Sequence, residues 1–333
     1  MKAVVCRELG PPEALSVEEV ERPTTGRGQV RIRVAACSIN FPDLLIISGQ
    51  YQERPELPFI PGQEVAGVVE EVGADVTEIE PGQAVMAATY QGGLAQYANA
   101  NVQDVYKMPA GMPMEVAAGF PGVFGTSCHA LKQRARLKPG ETLLVLGAAG
   151  GVGLAAVQIG AAMGARVIAA ARGEQKINFL RDNGADELID YSTENLKDAV
   201  KDLTGGKGAD VIYDPVGGDL FDQATRCINW NGRILVVGFA SGRIPQFPAN
   251  LALLKGSSIV GVFYGRFNLV QPEDSAKNMA ELFALYSEGK LSPQVYKTFP
   301  LEQTADAMNC LKNREVMGKV IVNLVTSDYS HDK

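Results

Sequence analysis

Histidine is almost missing from this chain. Two occur in 333 residues, His129 and His331, and the five cysteines (Cys6, Cys37, Cys128, Cys227, Cys310) are scattered, with no CxxC pair and none between Cys37 and Cys128. A structural zinc site needs about four Cys or His ligands at close spacing, and a catalytic one about three plus water. Neither type is expected, and Lewis-acid chemistry goes with them. An odd number of dispersed cysteines provides no disulfide framework and fits a reduced compartment. Positive charge is also short: 31 Lys and Arg face 38 Asp and Glu, a net charge of −7. Such a surface repels phosphate backbones and anionic membranes, so no nucleic-acid and no membrane partner is expected. No window approaches the ~20 apolar residues that span a bilayer. The opening MKAVVCRELG enters a strand-like run without the apolar core and cleavage site of a signal peptide, and the expectation is a cytoplasmic protein. There is no GxSxG elbow, and a Ser-His-Asp triad would have to use His129, which argues against hydrolase chemistry. Repeats and low-complexity tracts are absent.

What is present is ordinary globular material, 46% hydrophobic and 21% charged, long enough for two domains at ~150 residues each. The first third alternates β-rich runs, 29–37, 65–73 and 83–89, with Pro61-Gly62 and Pro81-Gly82 turns. From about residue 123 compact apolar strands, 143–147, 166–171, 210–214 and 233–238, are spaced by helix-length segments, the pattern of βαβ units and a parallel sheet. A further strand at 257–263 suits the sheet's far edge. Residues 272–289 read as an amphipathic helix, with Met279, Leu282, Phe283 and Tyr286 at helical spacing. The tail closes with a helix around 305–311 and a strand, KVIVNLV, before a polar end, SDYSHDK, expected to fray.

The strongest local signal is LLVLGAAGGVGLAAVQIGAAMGARVIAAA, a strand, a glycine cluster, a helix and a second strand. Against GxGxxG, Ala148 takes the first position, Gly150 the second and Gly153 the third. Glycine at the second position admits a pyrophosphate to the backbone, and Gly153 lets helix and strand pack closely. The second strand ends Ala169-Ala170-Ala171 and then Arg172, where an NAD site usually has Asp or Glu for the ribose 2′-hydroxyl. Small residues followed by Arg172 and Lys176 suit a 2′-phosphate, hence NADPH. The alternative is a solvated loop with two surface cations, and Glu174 lies between them.

Taken together, SINFPDLLIISGQY, PFIPGQEVAGVVEEVG, GTSCHAL, GAAGGVG, VIYDPVGG, GRILVVGFASG and GKVIV give the whole chain a family likeness. It resembles the zinc-independent quinone oxidoreductases of the medium-chain dehydrogenase/reductase superfamily, the zeta-crystallin-like branch and its quinone oxidoreductase-like group. The resemblance implies an α/β chain in which a doubly wound Rossmann domain (123–265) is inserted into a GroES-like catalytic domain (1–122 and 266–333). It also implies a homodimer joined near residues 257–263 and a cleft between the lobes. Zinc relatives carry GHE where this chain has Gly62-Gln63-Glu64, and Gln83-Ala84 stands where GDxV is common.

By the same resemblance, Asn40 and Asp43 form an N-x-x-D motif in the substrate cleft, Tyr51 faces that cleft, and Thr126 begins a helix near the nicotinamide ribose or phosphates. His129 stands where relatives often have a cofactor-contacting tyrosine. Ala149, Gly150, Gly151 and Val152 supply the phosphate turn. Arg172, Gly173, Lys176 and Tyr191 surround the adenosine phosphate, and Val216, Gly238, Phe239, Ser241, Phe263 and Lys319 complete the cofactor positions. Plainer readings stand beside these. Asn40 and Asp43 could cap a helix, Tyr51 could pack with a wet hydroxyl, His129 could be a satisfied buried histidine, and Phe239 and Phe263 could fill core. The implied activity is NADPH-dependent hydride transfer to quinones or related electrophilic carbonyl compounds. The alternative is reduction of an activated C=C bond, with Tyr51 as proton donor or carbonyl anchor, and a third reading is a cofactor-binding protein without turnover.

Overall fold

The computed structural model describes residues 1–324; the polar end expected to fray, and His331 with it, lies outside them. The described chain divides into two units, one formed by residues 1–122 with the segment from Gln294 onward, the other by Val123–Pro293. The chain therefore returns to the first unit 28 residues later than the boundary at 266 expected from the sequence. Two helices fill that interval, and the longer, amphipathic one buries Met279 and Leu282 within the second unit.

In the first unit, β1 (Lys2–Val5) and β2 (Ser16–Glu19) form a two-stranded antiparallel sheet. Then come β3 (Gln29–Ile39), α1 (Phe41–Ile47), β4 (Glu64–Val72), β5 (Ala84–Ala88), β6 (Tyr97–Asn101), β7 (Val105–Lys107), α2 (Met114–Ala118) and the start of α3 (Phe120–His129). Along β3, Val30, Ile32 and Val34 point into the core while Arg31 and Arg33 point away, a period of two that fixes which face is buried. The run Ala-Ala-Cys-Ser-Ile at its end breaks the alternation because both faces there are covered.

The second unit carries β8 (Thr142–Leu146), α4 (Gly151–Ala162), β9 (Arg166–Ala171), α5 (Glu174–Arg181), β10 (Glu187–Asp190), α6 (Leu196–Leu203), β11 (Ala209–Asp214), α7 (Gly218–Ala224), β12 (Ile228–Val236), α8 (Ala249–Lys255), β13 (Ser258–Gly261), α9 (Tyr264–Val270) and α10 (Pro272–Ser287). Its six strands are all parallel, in the order β10-β9-β8-β11-β12-β13. Leu143 to Leu146 are fully buried, as expected for a central strand covered on both faces. The strand order reverses between β8 and β11, which makes the crevice at their C-terminal ends the natural ligand position of such a sheet.

The tail adds β14 (Val295–Pro300), α11 (Thr304–Lys312) and β15 (Lys319–Asn323) to the first unit. There β15 pairs antiparallel with β3, completing the order β14-β15-β3-β4-β5-β7 with β6 also on β3. A long connection through the second unit thus ends on the innermost strand of the first.

One local expectation changes. GTSCHAL was expected to open a helix, with Thr126 at its start, but α3 begins six residues before Thr126, at Phe120. The break is Gly119, which ends α2, and Pro121 follows at a position where a helix tolerates a missing N–H. Thr126 is therefore interior to α3. His129 is its last residue, ahead of a π-type turn over Ala130–Arg134.

Candidate functional site

The glycine turn after β8 joins strand to helix as the motif predicts. Gly150 is the N-cap of α4, and Gly151 and Val152 open the helix. The two flanking glycines do different work. A Cβ on Gly153 would fall 2.4 Å from the Gly147 carbonyl oxygen and 2.8 Å from Ala148 Cα, so this position keeps helix and strand in contact. A Cβ on Gly150 would meet only the Gly147 oxygen, at 3.5 Å, leaving the backbone open on its other side. The first-turn N–H groups of α4 have no acceptor within the helix and carry the positive end of its dipole. Room and unsatisfied donors together fit a dinucleotide pyrophosphate. The loops after β11 and β12 meet this turn: Val216 lies against Gly147, and the Ser241 N–H donates to the Val216 carbonyl at 2.9 Å. Gly238, half-buried Phe239 and Ser241 all belong to the β12 loop. Asp214 holds the β11 turn by accepting from the N–H groups of Val216 (2.8 Å) and Gly217 (2.9 Å); burial nevertheless pushes its carboxyl up to about 6.

Beyond β9 the side chains are exposed or half-buried. Arg172 is exposed, its guanidinium 6.0 Å from the Tyr191 ring centre, with Lys176 one turn into α5. Gly173 has a φ of +89° and nothing within 4 Å of where a Cβ would sit, so the backbone there is also open. The acid that the end of β9 lacks is supplied by its neighbour. Asp190 stands opposite Ala171 in the register of β10 on β9. Its Oδ1 accepts from the Gly173 N–H (2.9 Å), the Ser192 N–H (2.9 Å) and the Ser192 hydroxyl (2.6 Å), and the Gly173 bond leads in holding the carboxyl below the usual range. Three protein donors already occupy that oxygen, so it is poorly placed to serve as a ribose acceptor.

A buried relay, not anticipated from sequence, supports the turn. Ser127 Oγ lies 2.8 Å from the Val152 carbonyl and 2.9 Å from Tyr213 Oη. A carbonyl only accepts, so Ser127 donates to Val152 and Tyr213 donates to Ser127. The first turn of α4 is thereby tied to α3 and β11. His129, 6% exposed, faces Gln133 through Nδ1 at 3.3 Å and stacks on Phe267 with ring centres 3.9 Å apart; burial lowers its pKa. These contacts match the plainer reading of a satisfied buried histidine. Phe263, 53% exposed beside the edge strand, is not core.

In the first unit Asn40, Asp43 and Lys319 converge. Asn40 precedes α1, and its N–H donates to Asp43 Oδ2 at 2.8 Å, one half of a capping box. The Asn40 side chain turns to Glu64 Oε1 (2.9 Å), Ser38 Oγ (3.3 Å) and Lys319 Nζ (2.6 Å). Lys319 also donates to the Ile39 carbonyl at 3.3 Å. Two carboxyl groups, one ammonium and the Cys37 thiol share this buried region. Burial pushes Asp43 up to about 7, against the Asn40 N–H and the Lys319 charge, and raises the Cys37 thiol well above its ordinary value. Burial lowers Lys319, opposed by Glu64 and Asp43. Tyr51 packs, half-buried, on the core of this unit, and burial together with the charges of Glu53 and Asp43 raises its phenol, keeping it protonated at neutral pH. Glu64 and Ser38 were not singled out as site residues. The available signal was a carboxylate opening an otherwise apolar strand, EVAGVV.

Among the described residues no group of three or more His, Cys, Asp or Glu side chains is placed to hold a metal ion. No helix among them is long and apolar enough to cross a membrane. Residues 26–141 match the alcohol dehydrogenase GroES-like domain, and 151–284 match the zinc-binding dehydrogenase model. The quinone oxidoreductase-like protein 2 homolog of Nematostella vectensis is 42% identical over 325 residues, 97% of this chain and 88% of that protein. Human quinone oxidoreductase is 35% identical, covering 97% and 98% of the two chains. Escherichia coli quinone oxidoreductase, solved complexed with NADPH, superposes with a TM-score of 0.90 at 28% identity, covering 97% of this chain and all of that one. A parallel sheet with a glycine turn at its switch point, a β-rich unit closed by the C-terminal strand, and full-length likeness to these proteins lead to one assignment: the chain is an oxidoreductase of the quinone oxidoreductase family, within the medium-chain dehydrogenase/reductase superfamily.

Proposed function

We propose that this enzyme uses NADPH to reduce quinones or related electrophilic carbonyl compounds, without zinc. The observation that carries the cofactor assignment is the open turn at Gly150 with Arg172 and Lys176 beyond a strand that ends in three alanines. When bound, NADPH supplies a hydride. The α4 N-terminus would hold the pyrophosphate, and Arg172 and Lys176 the 2′-phosphate. Tyr51, protonated at neutral pH, is the first unit's donor for the oxygen of the acceptor. A quinone that takes a hydride becomes a phenolate and needs only a hydrogen bond and then a proton, from Tyr51 or water, so positioning provides most of the catalysis.

Steady-state assays with NADPH and NADH against 1,4-benzoquinone, 9,10-phenanthrenequinone and crotonyl-CoA test this reading, with Tyr51→Phe alongside. Turnover of the quinones with NADPH, unchanged by chelators, is expected. Activity with crotonyl-CoA alone, lost in Tyr51→Phe, would transfer the assignment to C=C reduction. NADPH binding without turnover of any acceptor would make it a binding protein.

The implied homodimer has support from the edge of the parallel sheet. Among the described residues β13 ends the strand order of the sheet, and Trp230, Leu253, Leu254, Ile259, Phe263 and Leu269 are exposed on the same unit. Light scattering during size exclusion should give twice the chain mass; a monomer would refute it. A cytoplasmic setting agrees with five cysteines that are all free thiols.

A further inference from the structure

An asparagine amide has two donor hydrogens and two acceptor lone pairs. For Asn40, both hydrogens go to Glu64 Oε1 (2.9 Å) and Ser38 Oγ (3.3 Å), and one lone pair takes the Lys319 ammonium (2.6 Å). An ammonium can only donate and an ionised carboxylate can only accept. Exchanging the amide's two ends would set NH2 against NH3⁺ and oxygen against oxygen, so the flanking pair permits one orientation. Glu64 is 6% and Lys319 8% exposed, which removes the water that would let the amide turn. The surroundings are cut to fit. A Cβ on Gly122 would fall 2.0 Å from Glu64 Oε1, and one on Gly119 would fall 3.0 Å from Lys319 Cε. The Gly122 N–H also points at Glu64 Oε2, at 3.4 Å.

We propose that Glu64 and Lys319 are positioning residues that lock the Asn40 amide, leaving it a single acceptor lone pair toward bound ligand and no donor for a quinone oxygen. This rests on the oxidoreductase reading above, and it deepens that reading by leaving the donor function to Tyr51. Asn40 would then contact an N–H or O–H group, such as a carboxamide or a ribose hydroxyl, and its loss would lower kcat with little change in the KM of a quinone.

The test compares the full-length wild type with Lys319→Met, Glu64→Gln, Asn40→Ala and the doubles that combine either of the first two with Asn40→Ala. Asparagine-selective 15N labelling, with the resonance assigned by its loss in Asn40→Ala, reports the amide directly and needs neither cofactor nor turnover. The Asn40 NH2 pair should be protected from solvent exchange in the wild type and lose that protection in Lys319→Met. With NADPH and 9,10-phenanthrenequinone, Lys319→Met and Glu64→Gln should each lower kcat by about 10-fold, and neither should lower it further once Asn40 is alanine. Effects on kcat that multiply in the doubles, or unchanged protection in Lys319→Met, would overturn the proposal. So would wild-type kcat in Asn40→Ala, which leaves the quinone reductase reading standing. If Lys319→Met does not fold, Glu64→Gln carries both measurements, because it keeps the side-chain shape but sets an NH2 against either Asn40 or the Gly122 N–H. A wild type that turns over no quinone refutes the oxidoreductase reading instead, while the exchange measurement still decides whether the amide is locked.

Discussion

The two units meet polar chemistry in opposite ways. Around Asn40 the first unit buries two carboxyls, an ammonium and an amide, with the amide bonded to both Glu64 and Lys319 while Asp43 Oδ1 is left without a hydrogen-bond partner. Around Gly150 the second unit buries almost no charge and instead presents helix N–H groups, open glycine backbone and cations at its surface. A buried charge must find its partner within the fold, because desolvation is costly. An exposed cation beside an open turn can wait for a phosphate. The first arrangement fixes geometry, and the second selects a ligand.

The contrast is most sharply broken at Lys319. Replacing it by alanine leaves the Asn40 oxygen without its donor and takes a positive charge from beside the buried Glu64 and Asp43 carboxyls, and stability should fall by about 2–4 kcal/mol in urea unfolding. A loss of under about 1 kcal/mol would mean the cluster behaves like a solvated surface. In the second unit, removing charge should instead spare the fold. Arg172→Ala with Lys176→Ala is expected to keep the melting temperature while lowering the preference for NADPH over NADH by roughly 10- to 100-fold, the worth of one or two charge-assisted hydrogen bonds. An unchanged ratio of kcat/KM values would remove the 2′-phosphate assignment.

The glycine turn gives a comparison within a single loop. Gly153→Val forces side-chain atoms onto the Gly147 carbonyl and Ala148 and should cost about 1–3 kcal/mol of stability. Gly150→Ala, at an ordinary φ of −77°, should cost less than about 0.5 kcal/mol yet weaken NADPH binding about 10-fold. Equal effects on folding would show that both glycines serve packing alone. The last comparison is a slope. Asp43 titrates at about 7 in the fold and near 3.9 when unfolded. Between those values the folded protein binds the additional proton, so this group makes stability fall as pH rises from about 4 to about 7, and the penalty stays in full above that. Asp43→Asn should remove that component, seen by comparing urea midpoints at pH 5 and pH 8. Parallel profiles for variant and wild type would contradict the burial argument.

Much of this was legible in advance. The glycine turn and the alanine-ended strand are local patterns that run from strand to helix as expected, and the N-x-x-D segment heads a short helix, as its plainer capping alternative has it. The placement of Thr126 was misread because the Gly119–Pro121 break, not the later polar segment, starts α3. Asp190 was overlooked since it serves the β9 loop from the neighbouring strand, eighteen residues beyond Arg172, and its role depends on register. Ser127 and Tyr213 stand 86 residues apart, and nothing in a linear pattern pairs them.

The amino-acid sequence determined the order of strands and helices, the two textures of the chain and the scarcity of zinc ligands, because periodicity, turn chemistry and composition act over a few residues. Tertiary structure alone brought Asn40, Glu64 and Lys319 within hydrogen-bond reach, by pairing β3 with β4 and with the returning β15. The partner of a buried polar group is set by which strands pair and in what register, and that is decided only when the whole core closes.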